Sequence, residues 1–168
     1  EMKGLPDSEK RGRPDILHHF LLDSLGSLAN IHEQLKIYFH TPTKWFRVDS
    51  SMHCPRDYLR FKSLMAQLLQ LGHIPPEKPY LVEEMTVPID QYLGVHFSPD
   101  RTLIFTKIGE STQLTSLFRQ YTPKEEIAVL IGGFQKGHFS PMIEKIPGRA
   151  YSIASEGLDS WVVVNRIL

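Results

Sequence analysis

The chain of 168 residues has one cysteine, Cys54, and no apolar run near the ~20 residues that a bilayer crossing takes. A lone cysteine rules out an internal disulfide framework and says little about compartment. Excess charge is missing too: 19 Lys and Arg balance 19 Asp and Glu. No global field therefore advertises a nucleic-acid partner, and any basic surface must be local. No signal-peptide pattern, internal repeat or low-complexity segment is visible. Two nucleotide-binding motifs are absent. Gly132 and Gly137 have the outer spacing of a P-loop, but His138-Phe139 come next in place of the phosphate-binding lysine and the metal-binding hydroxyl. A dinucleotide fingerprint needs Gly-x-Gly-x-x-Gly opening a helix. Here the glycines fall as Gly-Gly-x-x-x-Gly, and Pro141 and Pro147 interrupt the stretch where that helix would run. The histidines show no metal-ligand spacing, and His32-Glu33 lacks the second histidine of a zincin. No Gly-x-Ser-x-Gly elbow is present.

What is present is the composition of one globular domain, 41% hydrophobic and 23% charged. Residues 1–12 are polar and read as a flexible lead-in, and 13–168 as the domain. The stretch from Ile127 to Ile131 runs into a loop with Gly132, Gly133 and Gly137. It predicts a strand buried on both faces, as in an open α/β sheet. Such sheets bind ligands beyond the carboxyl ends of their strands. On the loop alone, a tight turn is the better reading. A second strand, Arg149–Ala154, opens into another turn, Ser155-Glu156-Gly157.

Taken in order, Arg13-Pro14-Asp15 starts a helix, with Ile16, Leu17, Phe20, Leu21, Ser24, Leu25 and Leu28 on one face and Asn30 as its stop. Gln34–Phe39 and Lys44–Val48 form a hairpin. Pro55 opens a second helix, striped by Phe61, Leu64, Met65, Leu68 and Leu69 and ending near Gly72. A short strand is expected near Leu81–Met85 and a helical turn near Ile89–Leu93. Thr102–Thr106 is a strand with Gly109-Glu110-Ser111 as its exit loop, and Gln113–Tyr121 is a helix stopped by Pro123. Strands alternating with helices predict a mainly parallel α/β sheet flanked by helices. The tail is divided: Trp161–Val164 has strand propensity, yet Leu158–Leu168 stands where a closing helix belongs.

Basic residues cluster from Lys44 to Lys62, where Lys44, Arg47, Arg56, Arg60 and Lys62 face only Asp49 and Asp57. Arg56 and Arg60 are four apart, hence on one helix stripe. With Arg11 and Arg13 they compose a phosphate-gripping surface, because arginine forks match phosphate oxygens in pairs. Spacing alone favours the plainer alternative, a solvated helix face. Asp15 is either a carboxylate at a helix start or the group that orients an arginine.

Arg13-Pro14-Asp15-Ile16, Tyr38-Phe39-His40-Thr41, Pro55-Arg56, Arg60-Phe61, Leu64-Met65 and Gln67-Leu68-Leu69 occur in an order typical of one family. The chain resembles the small-subunit ribosomal RNA pseudouridine N1-methyltransferases of archaea and eukaryotes, of the SPOUT or α/β trefoil-knot class. The resemblance runs from about Gly12 to the C-terminus. It implies a knot near the C-terminus, a homodimer, and S-adenosylmethionine held by three loops. By position these are Ile108-Gly109-Glu110, Gly132 to Gly137, and Ile153-Ala154-Ser155-Glu156-Gly157-Leu158. It also implies RNA contacts from Arg13, Arg56 and Arg60, with Asp15 steadying one arginine.

Two residues depart from the family pattern. His53 stands where arginine is usual, two before the Pro-Arg pair, which weakens one phosphate contact. Gly157 stands where proline is usual, and Glu156 adds a charge. Family members also begin some tens of residues earlier. The implied partners are small-subunit ribosomal RNA and ribosomal assembly proteins, with no membrane and a cytoplasmic location (nucleolar in a nucleated cell). Neither a catalytic residue nor a metal is assigned. The alternative reading is a non-catalytic ribosomal-RNA-binding assembly factor of the same fold; a small-molecule α/β enzyme is a third.

Overall fold

A computed structural model describes residues 12–135 and 137–168, so the lead-in lies, apart from Gly12, outside the described residues. The chain divides into two compact units, one running through Thr86 and the other from Val87 to Ile167.

In the first unit, α1 (Pro14–Gly26) opens with the proline and Asp15 in its first turn, as expected. It buries Ile16, His18, Leu21 and Ser24. The helix does not run on to Asn30. Ser27 leaves helical geometry, and its hydroxyl accepts from the Asn30 amide at 3.1 Å, starting a separate turn, α2 (Leu28–Ile31). Local capping thus ended the helix before its apolar pattern did. The hairpin forms as β1 (Ile37–His40) and β2 (Trp45–Val48), with Ile37 opposite Val48.

The second long helix is α3 (Tyr58–Leu71). It starts later than Pro55, because Asp57 caps it by accepting from the Arg60 amide at 2.8 Å. Arg56 therefore lies outside the helix and does not share the expected helical stripe with Arg60. Its buried face is also narrower than the predicted stripe. Phe61, Met65 and Leu68 are buried, whereas Leu69 is 48% exposed. Two short strands, β3 (His73–Ile74) and β4 (Val82–Glu84), complete an antiparallel sheet in the order β1-β2-β4-β3. Leu21, Phe46, Phe61, Leu68 and Val82 form its core.

The second unit contains α4 (Ile89–His96), β5 (Thr102–Ser111), α5 (Leu114–Phe118), β6 (Ala128–Ile131), α6 (Pro141–Glu144), β7 (Arg149–Ser152) and α7 (Ser160–Ile167). Here the alternation of strand and helix yields the expected parallel sheet, in the order β6-β5-β7. Period-two alternation sends side chains to opposite faces. Leu103, Phe105 and Tyr151 pack with Leu117 and Val163 on one side. Ala128 and Leu130 join Leu93, Ile143 and Ile146 on the other.

Two expectations change, and the alternative left open for the tail is decided. The strand at 128–131 is not buried on both faces: it pairs with β5 alone, and all four residues are half-buried. The strand buried on both faces is β5, paired on both sides, with Thr102 to Phe105 all buried. Gly109-Glu110-Ser111 is not a loop but the end of β5, continued after a break in register between Phe105 and Glu110. The tail is helical. Valine's helix penalty is a fraction of a kcal/mol, less than the burial of Val163 and Val164 returns.

Phe61 is fully buried at the centre of the first core. Phe61→Ala is expected to destabilise the protein by about 3–5 kcal/mol in denaturant unfolding. Leu69→Ala, on the exposed side of the same helix, is expected to cost less than about 1 kcal/mol. Equal losses would mean that the helix faces are misassigned.

Candidate functional site

Because β5, β6 and β7 are parallel, their carboxyl ends emerge at one edge of the sheet. Those ends are the three segments singled out in the sequence, as far as they are described: Ile108-Gly109-Glu110, Gly132 to Gln135 with Gly137, and Ile153 to Leu158. Two contacts tie them together. A Cβ on Gly109 would lie 2.5 Å from backbone atoms of Tyr151, so only glycine lets β5 run this close to β7. The Ser160 hydroxyl, at the start of α7, donates to the Gly132 carbonyl. The Thr112 amide also donates to the Ser152 carbonyl at 2.9 Å, continuing the β5–β7 seam.

Beyond the seam the edge opens. Ile108 is 78% exposed, an unusual state for an isoleucine within a strand. Glu110, Ser155, Glu156 and Gly157 are exposed, while Ile153, Ala154 and Leu158 are half-buried. Positions Gly133 and Gly157 have nothing within 4 Å of where a Cβ would lie. Gly137 holds φ at +101°, a conformation that side chains disfavour. The result is a rim of accessible backbone beside an exposed apolar side chain, with Ile153 and Leu158 packed behind it. Such a rim suits a ligand with both a flat apolar part and hydrogen-bonding edges.

The predicted RNA residues lie in the first unit. Arg13 and Asp15 form a two-pronged ion pair. Nε of Arg13 donates to Oδ1 at 2.8 Å and Oδ2 at 3.0 Å, and Nη2 donates to Oδ2 at 2.6 Å. The steadying role expected of Asp15 thus has a geometric counterpart. The guanidinium hydrogen bond holds the Asp15 carboxyl below its ordinary pKa, which disfavours the carboxylate as a proton acceptor.

His53 and Arg56 are exposed and share the wall of a groove of about 520 Å³ beside Asn30. The His53 ring pairs through Nδ1 with the Ser51 carbonyl at 2.9 Å. Arg60, also exposed, borders a second hollow with Pro55 and Leu59. Neither Arg56 nor Arg60 forms an ion pair among the described residues, so both guanidinium groups are available to an anion.

Sequence reasoning missed two residues. Ser160 carried no signal beyond standing near the head of the last helix. His18 looked like one histidine among eight. It is 5% exposed, and its Nε2 pairs with the Pro55 carbonyl at 2.6 Å. Burial pushes the Cys54 thiol up to about 11, so the one cysteine is not a nucleophile at neutral pH.

The sequence pattern described as EMG1/NEP1 methyltransferase matches residues 1–168, the whole chain. The chain belongs to the EMG1/NEP1 methyltransferase family. Among its relatives, the ribosomal RNA small subunit methyltransferase Nep1 of Staphylothermus marinus is 36% identical over 171 residues, covering 99% of this chain and 73% of that protein. The enzyme of the same name from Methanothrix thermoacetophila is 30% identical at the same coverages. The crystal structure of Archaeoglobus fulgidus Nep1 bound to S-adenosylhomocysteine superposes with a TM-score of 0.83 at 28% identity. That match spans 99% of this chain and 73% of the crystallised one. This EMG1/NEP1 chain therefore has the SPOUT methyltransferase fold expected from the resemblance.

Two predictions arise from this geometry. Gly109→Ala is expected to lower the melting temperature and weaken S-adenosylhomocysteine binding in calorimetry, because its methyl would meet the β7 backbone. Gly133→Ala, which meets open space, should leave stability within about 0.5 kcal/mol of the parent. Equal stability in the two variants would remove the close approach at Gly109. For Asp15 the folded pKa is lowered. Its contribution to stability is therefore present above the unfolded value near ~3.9 and lost as pH falls through the folded value. The stability difference between the parent and Asp15→Asn should be full at neutral pH and shrink as pH falls below the unfolded value. A difference independent of pH would show that the ion pair contributes nothing.

Proposed function

We propose that this protein transfers the methyl group of S-adenosylmethionine to N1 of a pseudouridine in small-subunit ribosomal RNA, during ribosome biogenesis. The observation that carries the reading is the convergence of three parallel-strand exits into one rim, with Gly109 at the β7 backbone and Gly132 held by Ser160. Family membership supplies the reaction class. The relatives' names supply the RNA class, and the bound product of the crystallised relative supplies the cofactor.

The residues present fit that cofactor. Accessible backbone at Gly133, Gly137 and Gly157 can take its polar edges, and Ile108, Ile153 and Leu158 its flat apolar part. When bound, the cofactor supplies an electrophilic methyl on a cationic sulfur. The rim's task is to hold that methyl in line with N1 and to exclude water, which needs positioning more than a charged group. Uridine uses N1 for its glycosidic bond, whereas pseudouridine leaves N1–H free, so N1 methylation reads the isomerisation directly.

Arg13, Arg56 and Arg60 grip the RNA phosphates, with Asp15 fixing the Arg13 fork and His53 contributing a weaker contact. These contacts place the RNA without reading its bases. The target base is flipped from its context to reach the pocket. The reading extends to residues 13–168 as one SPOUT methyltransferase domain with a trefoil knot near the C-terminus. It also takes the protein to act as a homodimer alongside ribosomal assembly proteins, in the cytoplasm or, in a nucleated cell, the nucleolus. The match over 99% of the chain to the crystallised relative supports the first of these.

Incubation with S-adenosylmethionine and two RNA hairpins, identical except for uridine or pseudouridine at one loop position, tests this by mass. A single-methyl gain on the pseudouridine hairpin alone is expected. No gain on either, with both still bound, would identify an RNA-binding assembly factor instead. Arg60→Ala should weaken hairpin binding and reduce the salt dependence by about one phosphate, leaving cofactor affinity unchanged.

A further inference from the structure

Two stretches of the first unit carry the cationic groups read above as RNA contacts: the start of α1, with Arg13, and the segment from Arg56 to Arg60 that leads into α3. They are far apart in sequence, and they grip one RNA only if their positions agree. One side chain links them. His18 lies three residues beyond Asp15 on α1, and its Nε2 sits 2.6 Å from the Pro55 carbonyl oxygen. A carbonyl only accepts, so Nε2 carries the hydrogen. The His18 ring also stacks on Phe61, with centroids 4.5 Å apart.

We propose that His18 is a positioning residue for RNA binding, fixing the direction in which Arg56 leaves Pro55 by holding the peptide between them. Proline's ring already locks φ at residue 55. With its carbonyl held as well, the planar 55–56 peptide is set, and the Arg56 Cα with it. Phe61, stacked on the same imidazole, directly follows Arg60. One buried ring therefore acts at both ends of the Arg56–Arg60 segment.

The Pro55 carbonyl precedes the Asp57 cap, so it lies outside the hydrogen-bond ladder of α3. Among the described residues, without His18 it keeps only a long contact from the Cys54 thiol at 3.8 Å. A purely apolar core position needs no donor, and a buried imidazole without a partner is unfavourable. The hydrogen bond and the stack together explain why histidine serves here.

The inference rests on Arg56 being an RNA contact, and the experiment separates the two. Full-length His18→Phe and His18→Met fill the site without a donor, whereas His18→Gln keeps one. Affinity for the pseudouridine hairpin is measured across a salt series in the parent and in an Arg56→Ala background, with S-adenosylmethionine affinity alongside. His18→Phe and His18→Met should lose about tenfold in hairpin affinity with cofactor affinity unchanged, and His18→Gln should recover most of that loss. In the Arg56→Ala background the loss should fall below about twofold, because the group being positioned is gone.

Unchanged hairpin affinity in His18→Phe overturns the proposal, as does an equal loss in both backgrounds or a parallel loss of cofactor binding. Failure of both donorless variants to fold also overturns it, since the histidine would then serve the fold. If Arg56→Ala alone leaves hairpin affinity intact, the reading of Arg56 fails and the inference falls with it.

Discussion

The parallel pairing of β5 between β6 and β7 is the constraint on which the candidate cofactor site depends. A central strand hydrogen-bonded on both sides sends all three strand exits to one edge, and the register puts β5 against β7 at the end of their common run. There the backbones approach so closely that a Cβ at position 109 has no room. The rim is a consequence of that approach. Ser160 extends the same economy, since one hydroxyl links the head of the last helix to the loop after β6. Both faces of the sheet are packed, by Leu117 and Val163 on one side and by Leu93, Ile143 and Ile146 on the other. The edge is then what the sheet leaves open to a ligand.

The first unit solves a different problem with different means. An antiparallel sheet and two helices build a core around Phe46 and Phe61, and exposed or paired arginines lie where those helices begin. Helix starts suit anions because their first amides are unpaired and their dipole is positive there. Arg13 and Asp15 occupy one start, while Arg56 and Arg60 flank the Asp57 cap of the other. Asp15 takes up both prongs of the Arg13 fork that it faces. Arg56 and Arg60 remain exposed. The unit thus holds one arginine oriented in advance and two that are open to a phosphate.

Family membership and geometry carry different parts of the functional reading. The match over the whole chain assigns the reaction class, which no arrangement of glycines could do alone. Geometry says which groups of this chain stand at the open edge of the sheet. The departures are instructive here. His53 turns its ring to the Ser51 carbonyl, yet remains exposed in the same groove wall as Arg56. Gly157, where the resemblance implied proline, has nothing within 4 Å of where a Cβ would lie. Glycine there leaves φ freer than proline would, at a greater entropic cost on ordering.

By itself the sequence determined the elements with strong periodicity or punctuation. These are the proline-led first helix, the hairpin, the buried run after Thr102 and the parallel strand–helix alternation of the second half. Local patterns suffice for them because apolar spacing and proline geometry act within a few residues. It also singled out the segments after the three parallel strands, whereas the expected helix stripe of Arg56 and Arg60 did not form, because the Asp57 cap leaves Arg56 before the helix. Tertiary structure alone decided the rest. The run at 128–131 read as a central strand, but whether a strand is central depends on what pairs with its other edge, which lies far away in the chain. Gly109 read as a loop glycine because only the approach of β7 reveals why a side chain is excluded. The valines of the last segment left strand and helix both open until burial outweighed their propensity. His18 and Ser160 were silent because each acts through one hydrogen bond to a carbonyl distant in sequence, and a backbone carbonyl leaves no trace in the letters of the chain.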